Sequence, residues 1–119
     1  MPDLKFSEML SMQKELFELH KNEWFPLEPE YARNFLLFMV EEMGEAIAII
    51  KKKGDASIME DEKIRAAFCE EMADVMMYYN DTLLRYGITP DEISEAYIRK
   101  HEKNMGRDYK TEYEEKFSK

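Results

Sequence analysis

Two short segments constrain this chain more than anything else in it. Glu41-Glu42-Met43-Gly44-Glu45 and Glu70-Glu71-Met72-Ala73-Asp74 both read acid, acid, Met, small residue, acid. On a helix the outer acids fall three apart on one face, Glu42 with Glu45 and Glu71 with Asp74. Their neighbours on those faces are apolar. Glu42 sits with Phe38, Met39, Met43 and Ala46, and Glu45 with Ala48 and Ile49. Glu71 sits with Ala67, Phe68 and Val75, and Asp74 with Met77 and Tyr78. A carboxylate in an apolar stripe is costly without a partner, and like charges on one face add repulsion. Each pair also lies ~14 Å from the turn expected between its helices, at 1.5 Å of rise per residue. Folded back antiparallel, the two helices bring four carboxylates to one height.

The rest of the chain reads as helix. Gly and Pro are scarce, at 4 each, while Met, Leu, Glu and Lys are plentiful, a helix-forming mixture. A first helix is expected from about Leu4 to Asn22, on the three- and four-residue spacing of Phe6, Met9, Leu10 and Phe17. Trp24, Phe25, Pro26 and Pro29 form an aromatic, proline-broken link. A second helix runs from Pro29 or Glu30 to about Lys53, where three lysines and Gly54 suit a C-terminus. A loop from Gly54 to about Met59 leads to a third helix, from about Glu60 to Tyr86, ended by Gly87. Thr89-Pro90-Asp91-Glu92 is a capping box and starts a fourth helix, from Pro90 to about Asn104. The fold expected is all-α, a four-helix, oligomerising bundle. Residues 1–106 form its single domain and residues 107–119 a polar tail, either a short helix or a frayed end. The second helix is apolar on almost every side from Phe35 to Val40, which points to burial against another subunit.

Composition removes several functions. The net charge of -9 leaves no basic face for nucleic acid or an anionic membrane. One cysteine, Cys69, allows no internal disulfide or Cys-rich zinc site, and its apolar setting suits the core. No apolar stretch is long enough to span a membrane. MPDLKFSEML shows no basic region followed by an apolar block, so the expected address is cytoplasmic.

Three readings compete for the acid pairs. A solvated acidic face would carry lysines four residues on, but those positions are Ala46, Ile49, Val75 and Tyr78. A ferritin-like redox centre needs Glu-x-x-His on two helices, and neither His20 nor His101 follows a glutamate by three; both suit the surface. A hard-cation site fits best. Carboxylates alone suit Mg²⁺ or Mn²⁺, and Mg²⁺ is commonly shared between a few carboxylates and a substrate's phosphates. Basic residues near such a site would meet the phosphates: Lys51, Lys52 and Lys53, or Arg99, Lys100, Lys103 and Arg107. There is no P-loop.

Glu42-Met-Gly-Glu45, a 25-residue gap, and Glu71-Met-Ala-Asp74 resemble the ExxE…ExxD signature of the MazG-like all-α nucleoside triphosphate pyrophosphohydrolases. Arg33-Asn34-Phe-Leu-Leu and Asp74-Val-Met-Met-Tyr78 resemble segments of the dCTP-pyrophosphatase branch, and Lys100-x-x-x-Asn104 with Arg107 and Tyr109 resembles the family's late segment. The likeness runs from about Trp24 to Tyr109. Two departures are a spacing from Asn104 to Tyr109 one residue longer than the pattern, and no aromatic near Lys52, where the dCTP branch carries a Trp. The resemblance implies Mg²⁺-dependent hydrolysis of a (d)NTP to (d)NMP and pyrophosphate, a house-cleaning task, in a homodimer or homotetramer. It implies that Glu42, Glu45, Glu71 and Asp74 hold the metal and carry catalysis. Lys53 and Lys100 would contact phosphates, Tyr78 and Asn104 the nucleoside, and Trp24 the base. Glu41 and Glu70 either stand behind the ligands or are exposed structural glutamates. Phosphoribosyl-ATP pyrophosphohydrolase is a relative with similar acid pairs, and a non-catalytic, metal-stabilised helical oligomer is the alternative outside enzymes.

Overall fold

The computed structural model describes residues 3–117. The first two residues of the N-terminal decapeptide and the last two of the tail lie outside that range. Among the described residues the chain is helical, with no strand, as the composition leads one to expect. There are five α-helices rather than four: α1 (Phe6–His20), α2 (Ala32–Glu60), α3 (Glu62–Arg85), α4 (Pro90–Met105) and α5 (Tyr109–Phe117), with a 3₁₀ turn at Pro29–Tyr31. No helix among these residues is long and apolar enough to cross a membrane.

α2 begins at Ala32, after the 3₁₀ turn, and not at Pro29 or Glu30, and its join to α3 differs from the sequence reading. Gly54 does break the second helix, with φ 83° and ψ 162°, a conformation open to little but glycine. The chain then turns helical again at once, so residues 55–60 are helix and not loop. The true turn is Asp61. Its side chain accepts hydrogen bonds from Lys63 N at 2.9 Å and Ile64 N at 3.3 Å, an N-cap that starts α3 two residues later than expected. At the far end of α3, Gly87 takes φ 64°, and Gly87 N and Ile88 N donate to Leu84 O and Leu83 O. That is a Schellman ending, which requires the left-handed conformation glycine supplies.

The chain forms two compact units, residues 1–88 and 89–119. In the first, α2 and α3 make an antiparallel hairpin. Phe35 and Phe38 both pack on Tyr78, and Glu42 lies by Glu71 and Asp74. Positions that sum to about the same value face each other, which is what the acid pairs required. α1 lies along α3 in the same direction: Phe6 meets Tyr79, Gln13 meets Asp81 and Phe17 meets Arg85. The buried apolar side chains are few, namely Leu10, Phe17, Ala32, Phe35, Ala46 and Leu83. Most gather where α1, the aromatic link and the start of α2 close over the end of α3. Cys69 is exposed and does not join this core: it falls on the outer face of α3, with Met72 and Met76.

In the second unit the capping box forms as read, with Thr89 Oγ1 accepting from Glu92 N at 3.1 Å. The tail resolves to a helix. Asp108 caps α5 by accepting from Thr111 N and Thr111 Oγ1, and these hydrogen bonds hold its carboxyl below the usual range. Tyr109, Tyr113 and Phe117 are exposed along it.

Candidate metal and nucleotide site

The hairpin register places Glu42 of α2 opposite Glu71 and Asp74 of α3. Carboxylate oxygens from these three residues lie within 4.8 Å of one another, and all three side chains are half-buried. Such a cluster is unfavourable by itself. Burial raises the Glu42 carboxyl above its ordinary value, helped by a hydrogen bond to Glu71 and by the charges of Asp74, Glu71 and Glu45. Both burial and like charge disfavour the ionised form. Glu71 Oε2 is sealed from solvent and has no hydrogen-bond partner. A buried acceptor without a partner costs stability, and a cation between the helices would satisfy it. A donor set of hard oxygens fits Mg²⁺ or Mn²⁺ and not a soft metal.

Glu45 is exposed and falls outside the three-residue cluster. It still adds to the field on Glu42. Glu41 and Glu70 point outward and are exposed.

Asp74 belongs to a second feature. A cavity of about 530 Å³ opens beside it, lined mostly by rings and apolar groups, among them Trp24, Phe25, Phe35, Phe38, Met77 and Tyr78. Trp24 and Tyr78 thus both border the cavity that the carboxylate cluster adjoins. Trp24 stacks on His20 at 5.0 Å between ring centroids, so His20 is half-buried support for the indole and not a free surface residue. Burial and the charges of Glu42 and Asp74 raise the Tyr78 phenol, which keeps it protonated and able to donate. Lys53 is exposed, one residue before the Gly54 break, and does not line the cavity. Lys100 is exposed on α4, and Asn104 is half-buried there with its Oδ1 accepting from Arg107.

Sequence reasoning missed the parts that shape the cavity. Asp81 and Arg85 pair on one face of α3, and both side chains are almost wholly buried. Arg85 also donates to the carbonyl oxygens of Phe25 and Pro26 and lies 3.7 Å from the Phe35 ring centroid. It therefore ties the aromatic link to the end of α3. The signal was present: Asp81 and Arg85 are spaced i, i+4 as helical ion pairs are, within an apolar stripe.

No curated protein and no solved structure matches this chain. A family model described as dATP/dGTP pyrophosphohydrolase matches residues 50–117, more than half of the sequence. Glu71, Asp74, Tyr78, Lys53, Lys100 and Asn104 lie within the match, while Trp24, Glu42 and Glu45 precede it. The match agrees with the MazG-like resemblance of the acid pairs, and its description names purine nucleotides. The chain belongs to the dATP/dGTP pyrophosphohydrolase family.

Proposed function

We propose that this chain hydrolyses a deoxynucleoside triphosphate to the monophosphate and pyrophosphate, with Mg²⁺ held by Glu42, Glu71 and Asp74. One observation carries the reading: a half-buried carboxylate cluster with an unpartnered oxygen shares Asp74 with an aromatic cavity. A polyphosphate and a base need such neighbouring surroundings. Mg²⁺, when bound, polarises the phosphoryl group and makes water a better nucleophile. The chain's own groups do the rest. Glu42, Glu71 and Asp74 position the charge, and Glu45 stands behind them. The half-buried hairpin limits water around them. Trp24 and Tyr78 offer faces and a phenol to the nucleoside. Lys53 is the proposed phosphate contact of α2, and Lys100 and Asn104 are proposed substrate contacts by resemblance alone. A house-cleaning role in the cytoplasmic nucleotide pool follows from this activity.

The test is direct. Incubated with Mg²⁺ and a panel of ribo- and deoxynucleoside triphosphates, the chain is expected to release pyrophosphate and monophosphate, fastest from purine deoxynucleotides. Release of inorganic phosphate with a diphosphate would place the cut at the wrong bond. Absence of any product would leave the reading of a non-catalytic, metal-stabilised oligomer.

The active form is proposed to be a homodimer or homotetramer. Leu36, Val40, Met43, Ile47 and Ile50 are all exposed, and they alternate four and three apart along α2. That spacing is the seam of a helix that packs on another helix, and an exposed apolar stripe of this length marks an interface. Sedimentation is expected to give a multiple of the 14.3 kDa chain mass. A monomer at micromolar concentration would remove this part of the proposal.

A further inference from the structure

The cavity is lined by aromatic and other apolar groups and a few polar side chains; beside the rings of Trp24 and Tyr78, only one of these polar side chains keeps hydrogen-bonding capacity to read a base. Glu23 is exposed, Asp74 belongs to the carboxylate cluster, and Asp81 is fully buried in its pair with Arg85. Gln13 differs. Its side chain comes from α1, is 7 % exposed, and lines the cavity. Its Nε2 donates to Asp81 Oδ2 at 3.5 Å. Among the described residues its Oε1 accepts no hydrogen bond, yet that oxygen is not sealed from solvent. The amide therefore keeps one acceptor and one N–H side by side.

We propose that Gln13 is a specificity-determining residue: its amide reads the polar edge of the nucleobase, and Asp81 holds that amide in one orientation. The inference rests on the proposed function, which puts the base in this cavity. A glutamine amide forms two hydrogen bonds to a base edge that offers a donor beside an acceptor. Adenine offers an exocyclic N–H donor beside a ring-nitrogen acceptor. Guanine offers the reverse, an exocyclic oxygen beside a ring N–H. A free amide swaps its ends to suit either. Here a swap would turn Oε1 toward the Asp81 carboxylate, so the orientation is fixed and one order fits better. Gln13 and Asp81 thus select between the two purines that a simple aromatic slot would take alike. Gln13 precedes the residues matched by the family model, so its role comes from the packing of α1 on α3.

The experiment compares kcat/KM for dATP, dGTP and a deoxypurine triphosphate with no substituent at the 6-position, on the full chain with Mg²⁺. The wild-type chain is expected to favour one purine by about tenfold or more, the discrimination typical of one good two-bond base contact. Gln13→Met keeps the length but removes the amide. It is expected to bring the dATP-to-dGTP ratio toward one, with the unsubstituted analogue losing least. Gln13→Asn keeps an amide but withdraws it by one methylene, and it should flatten the ratio as well; it decides the matter if Gln13→Met does not fold. An unchanged ratio in an active variant, or an equal loss on all three substrates, overturns the proposal and leaves the pyrophosphohydrolase reading intact. A wild-type chain that cleaves none of the three removes both.

Discussion

Glu42→Gln and Asp74→Asn are each expected to cut pyrophosphate release by about a hundredfold or more, close to ~3 kcal/mol in barrier. Both changes keep the shape of the side chain and remove a charge from the cluster that faces Glu71. Metal-assisted phosphoryl chemistry depends on that charge to position the ion and activate water. Stability is expected to move the other way. Burial and neighbouring acids hold the Glu42 carboxyl above its ordinary value, so the ionised form strains the folded chain, and that strain grows as pH rises above the unfolded value. Glu42→Gln should therefore melt at a higher temperature than the metal-free wild type at neutral pH. Mg²⁺ should raise the wild-type melting temperature, since it binds the folded site and not the unfolded chain, and should raise that of the variant less. Glu18→Gln, at an exposed position of α1, is the control and should change neither quantity. Near-normal turnover in both cluster variants would show that the chemistry lies elsewhere.

The acid cluster was legible because a physical conflict was written into the sequence. Carboxylates do not belong in apolar stripes, and only a particular hairpin register turns that conflict into a site. The register came out as the spacing required, with Glu42 opposite Glu71 and Asp74. Glu45 shares the apolar stripe and the family resemblance with Glu42, but α2 leaves it exposed to solvent. A three-residue step covers 300° rather than a full turn, so one acid of such a pair can face the partner helix while the other lies at the edge. The loop expected after Gly54 is helix for a different reason. A glycine after three lysines is a good helix end, and nothing local says that helix resumes in the next residue. Asp61 held the better signal, as a capping acid two residues before Lys63. The cavity itself was legible only at Trp24 and Tyr78, through the family resemblance. Its walls come from α1, the Trp24–Pro26 link, α2 and α3, and no local pattern shows how a link folds over a helix end. What does so is a buried ion pair, which sequence reasoning treats as surface by default.

That ion pair carries the second large expectation. Arg85→Met should destabilise the chain by about 3–5 kcal/mol, the range for removing one partner from a buried charge pair. Packing alone does not account for such a loss, since Met fills much of the same space. The cost falls on Asp81, whose side chain is sealed inside the fold. Burial already pushes the Asp81 carboxyl up, while Arg85 and then Gln13 pull it down. Without Arg85 the upward push stands almost alone. A carboxyl whose folded value is raised gives stability below its unfolded value and loses it as pH climbs through the folded one. The deficit of Arg85→Met against wild type should therefore be largest at neutral pH and shrink on acidification, as read by urea unfolding at both. Asp81→Leu combined with Arg85→Met should be more stable than Arg85→Met alone, because no buried charge is then left unpaired. Arg85 also holds the carbonyl oxygens of Phe25 and Pro26, next to the Trp24 that borders the cavity. In the double variant, where the unpaired charge is gone, KM for the nucleotide should still rise while kcat changes less. Full recovery of KM in that variant would mean that the link keeps its place without Arg85, and that the buried pair serves stability alone.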